Sequence, residues 1–172
     1  MQTEQKRSRL VDPILAEIDQ EAVTTKKLFD IIPEDKLDWR PHPKARSLGE
    51  LAMHVAGLQG GVAELGDADE APPPNFVDPV PADRAEILAV FAESISKAKK
   101  IIGATSDERA LADWKLVRDG ETLLSIPRIA FWRSILLNHN YHHRGQLSTY
   151  LRELDVPLPA IYGPSADERP FG

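Results

Sequence analysis

The sequence predicts an all-α fold: a four-helix bundle with long connections and one short β-hairpin before the last long helix. Three observations carry this expectation. Four segments repeat apolar residues at spacings of three and four, two of them open on a capping residue followed three positions later by Glu, and proline-rich stretches separate them. With 172 residues, 42% of them hydrophobic and 28% charged, the chain has apolar material for one core, so residues 1–172 are expected to form a single domain.

Asp12 before Pro13 is a helix start, since Asp can accept from first-turn amides and proline is tolerated at the first helical position. The helix is expected over 13 to about 31, with Leu15, Ile18, Ala22, Phe29 and Ile32 as its buried stripe and Pro33 as its end. Residues 33–46 carry three prolines and no sustained period, which predicts an ordered connection anchored by Leu37 and Trp39. Ser47 and Glu50 form a capping box that opens the second helix and sets His54 two turns inside it. Residues 66–82 are acidic and proline-rich, the composition of a long surface loop or lid. Asp83 with Glu86 opens the third helix, whose stripe is Ile87, Phe91, Ile95, Ala98 and Ile102 and whose stop is Gly103. Asp119-Gly120, between two short runs over 114–124, predicts a tight hairpin turn. Ser125 with Pro127 then opens the fourth helix, expected to run to about 154 because Val156-Pro157 is the next break.

Composition excludes several classes. Without cysteine there can be no disulfide, thiolate metal ligand, iron–sulfur cluster or cysteine nucleophile, so any metal must sit on nitrogen and oxygen. A net charge of −6 provides no basic stripe for a phosphate backbone, and no nucleic-acid partner is expected. No run of about 18 apolar residues occurs and the first ten residues lack an export pattern, which predicts a cytoplasmic protein with no membrane partner. There is likewise no Ser-His-Asp order, glycine-rich phosphate loop or helical HExxH pattern.

The fourth helix carries a seam of Ile129, Trp132, Leu136, His139, His143, Gln146 and Tyr150, in which two histidines stand where apolar residues belong. Four residues apart, they face the same way with Cβ atoms about 5–6 Å apart. His54, on the Leu51, His54, Leu58 stripe, faces inward from the second helix and is the candidate third ligand. Three neutral imidazoles hold a divalent ion and leave a coordination position open, as catalytic sites do. The same pattern also fits three hydrogen-bonded core histidines, and spacing does not choose between the two. His142 is turned about 100° from His143 and reads as a partly exposed residue, or a proton shuttle beside the metal. His42, within Pro-His-Pro, reads as a loop residue. Glu50 reads first as a cap and second as a carboxylate orienting His54. Gly145, which costs about 1 kcal/mol against Ala in a helix, reads as the close approach of another helix, and Arg144 as a solvent-facing or interface residue.

Three stretches, LDWRPHPKARSLGELAMHVAGL around His54, HNYHHRGQLSTYLREL from His139 and the ending PLPAIYGPSADE, together resemble the DinB family of the DinB/YfiT-like superfamily, over nearly the whole chain. The resemblance implies a four-helix bundle, a homodimer, and one divalent ion on His54, His139 and His143. His142 matches the first histidine of the family's HHRGQ run and is not carried over as a ligand. Imidazoles alone do not select the metal; zinc and nickel are expected first, iron and manganese after them. The superfamily also implies two chemistries, metal-dependent hydrolysis and S-transfer from a low-molecular-weight thiol.

The function expected from these readings is metal activation of a small nucleophile, the ion lowering the pKa of a bound water or cofactor thiol. Thiol S-transfer to a small electrophilic substrate is the first expectation. Hydrolysis of a small amide or ester, and a non-catalytic metal-binding role in stress response, are its rivals. No residue of the chain stands out as a general base.

Overall fold

The computed structural model describes residues 9–75 and 77–170; the amino-terminal stretch read for export signals lies mostly outside them. The helices are α1 (Asp12–Phe29), α2 (Leu48–Leu65), α3 (Arg84–Ala104), a short α4 (Asp107–Leu111), and a last long stretch in three parts: α5 (Arg128–Phe131), a π-helical segment (Trp132–Asn138) and α6 (His139–Glu153). α1 and α2 each pack against both α3 and α6, so the four long helical stretches close a ring.

The chain is mostly helical, and the all-α expectation needs one correction. Strands β1 (Glu70–Ala71), β2 (Asp113–Arg118) and β3 (Glu121–Pro127) form a mixed sheet in the order β1-β2-β3. The hairpin turns at Asp119 and Gly120, with φ of 52° and 83°, the positive dihedrals this dipeptide tolerates. β1 comes from the expected surface loop and pairs parallel to β2 through Glu70↔Lys115 and Ala71↔Leu116. Parallel pairing requires a crossover, which α3 supplies. A two-residue strand has no periodicity to read, and only the free edge of the hairpin draws it in.

Local signals set most helix starts. Ser47 Oγ accepts from the Glu50 amide at 3.2 Å, while Glu50 accepts from the Ser47 amide at 2.6 Å, completing the capping box. Asp83 caps α3 by accepting from the Glu86 amide at 2.8 Å. At α1, Val11 takes the cap position; Asp12 lies in the first turn, where its carboxylate accepts from the Arg9 amide at 2.9 Å. Ser125 belongs to β3, so the last helix begins at Arg128. The connection after α1 is ordered as expected, with Leu37 buried and the Trp39 carbonyl accepting from the Leu48 amide at 2.8 Å.

The α1 stripe also differs from the apolar reading. Its buried line is Ile14, Ile18, Glu21, Thr25, Leu28 and Phe29, with Leu15 and Ala22 only half-buried. Two polar residues sit mid-stripe because Arg144, expected at solvent or in an interface, is buried against them. Its guanidinium donates to Glu21, to Thr25 Oγ1 at 3.3 Å and to the Tyr162 hydroxyl, which in turn donates to Glu21 at 2.8 Å. Gly145 is exposed, and a Cβ there would meet nothing within 4 Å, so no helix approaches it among the described residues.

The core divides into two clusters. One centres on Trp114 stacked on Phe131, ring centroids 3.9 Å apart, beneath the hairpin; the other on Phe29 edge-on to Phe91 between α1 and α3. Arg128, fully buried at the start of the last helix, donates to the carbonyls of Gly66 and Arg109, both at 2.6 Å, and of Ala68 at 3.0 Å, and to Asp69 at 2.7 Å. It ties the end of α2 and the start of the 66–82 loop to the helix that carries the histidines.

Candidate metal centre

His54 projects from the end of the second turn of α2, where the capping box has set the register, and His139 and His143 project from the first two turns of α6. The three bring one ring nitrogen each within 4.8 Å of the others. His143 Nε2 lies 2.6 Å from His139 Nε2, which is 3.5 Å from His54 Nε2. Two imidazole nitrogens at 2.6 Å repel unless a proton or a cation sits between them.

The opposite ring nitrogens show which atoms carry protons. His54 Nδ1 is 3.1 Å from Asp78 Oδ1, and His143 Nδ1 is 2.6 Å from Gln146 Oε1. Both oxygens accept, so these partners assign the Nδ1–H tautomer to each ring and leave the Nε2 lone pairs facing inward. Asp78 is itself held by Arg46 at 2.8 Å through its second oxygen. This outer support is what metal-bound imidazoles require to keep tautomer and orientation. The donor set, three neutral nitrogens converging on one point with no thiolate, fits a borderline divalent ion.

The fold brings the three expected histidines together, and Glu50 takes its first reading, the cap, rather than its second, the carboxylate beside His54. Glu50 is occupied by the Ser47 amide and by Arg40 at 3.5 Å; the orienting carboxylate is Asp78, from the 66–82 loop. One acid among several in an irregular loop has no period to announce it. Gln146 stood on the predicted seam, three residues after His143, and that spacing was its signal. His142 is exposed and outside the cluster, as is His42. The π-helical segment ends at Asn138, immediately before His139. Such i→i+5 turns recur at functional sites because they rotate the succeeding helical turn about its axis, and no sequence pattern marks this one.

Burial is the main cause that lowers the proton affinity of all three rings. For His54, Asp78 opposes it and Arg46 adds to it; for His139, His54 and His142 add to it. His143 is pushed down from 6.5 to about 4 by burial, with the Gln146 hydrogen bond opposing and the neighbouring histidines adding. A histidine held neutral in the fold but free to charge when unfolded stabilises fully above pH 6.5, and that contribution is lost as the pH falls towards 4. The metal-free protein is therefore expected to lose about 1.4 kcal/mol of unfolding free energy per pH unit from His143 alone in that window. Urea unfolding at pH 7, 6 and 5 measures it, and replacing His143 with Gln should flatten the slope.

Comparisons with known proteins place the chain in a family and match its fold. The DinB superfamily profile matches residues 17–147. An uncharacterized protein of Bacillus subtilis (strain 168), YrdA, is 23% identical over 159 residues, covering 92% of this chain and 91% of that one. Among solved structures, a DinB-like protein from Bacillus cereus ATCC 10987 superposes with a TM-score of 0.67 at 21% identity, over 86% of this chain and 95% of that one. YfiT from Bacillus subtilis, described as a probable metal-dependent hydrolase with an unusual four-helix bundle topology, superposes with a TM-score of 0.63 at 14% identity, over 90% and 94% of the two chains.

Proposed function

The chain belongs to the DinB superfamily, and on that premise we propose that His54, His139 and His143 hold one divalent ion through Nε2 and that the protein is a metal-dependent enzyme acting on a small molecule. The observation that carries the reading is the inward convergence of the three ring nitrogens, with His54 and His143 backed on the outside by Asp78 and Gln146. Three protein ligands leave a coordination position for a reactant. A bound ion would supply Lewis acidity there, lowering the pKa of a water or thiol. The chain's own residues do the rest. Asp78 holds the His54 proton on Nδ1, Gln146 does the same for His143, and Arg46 holds Asp78 in place. The low proton affinity of the triad keeps it ready for metal near neutral pH.

Thiol S-transfer is the first reading of the reaction: the chain has no cysteine, so a thiol nucleophile would have to come from a small molecule. Hydrolysis is the second, favoured by the likeness to YfiT. Omitting thiol from an assay separates them, since only transfer then stops.

Metal content tests the proposal directly. Protein loaded with zinc or nickel and dialysed is expected to keep about one equivalent by mass spectrometry, the stoichiometry of one three-ligand site. It should also unfold later than chelator-treated protein, by about 2.7 kcal/mol when free metal is 100-fold above Kd. Less than a tenth of an equivalent (~0.1) after loading would leave three core histidines and no metal centre.

A further inference from the structure

A cavity of about 240 Å³ opens beside His54 and His139. α2 lines it with Leu58 and Val62, the hairpin with Trp114 and Leu124, and the π-helical segment with Ile135. Pro74 closes on it from the loop that also carries Asp78. Among the described lining residues, polar side-chain atoms belong to His54, His139 and Trp114 alone, and the Trp114 indole N–H is already committed to the Leu65 carbonyl at 2.9 Å. A ligand entering it therefore meets hydrocarbon and two imidazoles.

A charged or strongly hydrogen-bonding group placed there would lose its water and find no partner. An apolar group would gain from leaving water, in proportion to the area covered. A dry apolar cavity of about 150 Å³ accepts benzene, so this one takes a phenyl ring with a short chain, or a branched alkyl group of similar bulk. We propose that the molecule acted on carries such an uncharged hydrocarbon arm, seated in this cavity with its reactive end toward His54 and His139. The reactive end rests on the metal-centre reading above; the seat of the arm rests on the cavity itself. The hairpin thereby acquires a role, because Trp114 and Leu124 make the wall that selects the arm.

Two measurements test this separately from the metal. Ethylbenzene added to metal-free protein is expected to bind saturably and to show NMR cross-relaxation to the Trp114 ring and the Leu124 methyls, while benzylammonium binds at least ten times more weakly. On zinc-loaded protein, phenylacetohydroxamate is expected to bind at least ten times more tightly than acetohydroxamate. Leu124→Glu, at a position already 39% exposed, should bring that ratio near one with zinc content unchanged. Equal affinity of the two hydroxamates for wild-type protein, or ethylbenzene contacts away from Trp114, would overturn the inference. Failure of zinc uptake alone would sink the metal centre and leave the ethylbenzene measurement to decide the cavity. Should Leu124→Glu fail to fold, the two wild-type measurements still decide.

Discussion

Arg144→Ala is expected to destabilise the protein by about 3–5 kcal/mol, the usual cost of stranding one member of a buried ion pair. The Arg144 and Glu21 side chains are only 3% and 4% exposed, so neither can recover its lost partner from water. Arg144 also donates to Thr25 and Tyr162 and lies over the Tyr141 and Tyr162 rings, with its guanidinium carbon 5.3 and 5.0 Å from the ring centres. Removing it leaves the Glu21 carboxylate with the Tyr162 hydroxyl as its remaining donor and α1 facing α6 across a gap. Urea unfolding measures the loss. The paired replacement R144M with E21L should recover most of it, because an apolar pair of similar volume removes both desolvated charges. If R144A alone unfolds within 1 kcal/mol of wild type (about the scale of an exposed pair), the network is structurally idle.

His54→Ala, His139→Ala and His143→Ala are each expected to weaken zinc binding by about 10²–10³-fold, since roughly 10–16 kcal/mol in four-ligand zinc sites is shared among the ligands. Asp78→Asn should cost less, about 10–100-fold, because the amide can still meet the ring but no longer carries the charge that favours His54 as a donor. His142→Ala should bind like wild type, its ring being exposed and outside the cluster. Competition with a chromophoric chelator puts these affinities on one scale. A graded order of ligand, then Asp78, then His142 is the signature of the arrangement described; equal losses at Asp78 and His142 would show that Asp78 does not hold His54. Gln146→Ala offers the parallel reading at His143, where the accepting oxygen is neutral and a smaller loss is expected.

At several places a few neighbouring residues sufficed for the chain itself to fix the outcome, although Asp12 and Ser125 did not cap the helices they were read to open. The capping box at Ser47 and Glu50, the Asp83 cap and the Asp119-Gly120 turn are interactions within four residues, and each formed as read, while the buried line of α3 kept Ile87, Phe91, Ala98 and Ile102 but took in Ser94 and left Ile95 half-buried. His139 and His143 share a face for the same reason, one turn of helix apart. That His54 meets them followed from two inward-facing stripes on helices that pack together.

The remaining features depend on partners far away in sequence. Glu21 and Thr25 are polar interruptions of an apolar stripe until Arg144, more than a hundred residues later, meets them. β1 is two loop residues until the hairpin offers an open edge. Asp78 is an ordinary loop acid until Arg46 turns it toward His54, and the apolar cavity exists only because the hairpin folds back over α2 and the last helix. The division has one physical cause: helix caps, turns and faces are set by bonds a few residues long, whereas buried charge pairs, sheet edges and cavities gain their energy only when distant segments desolvate one another.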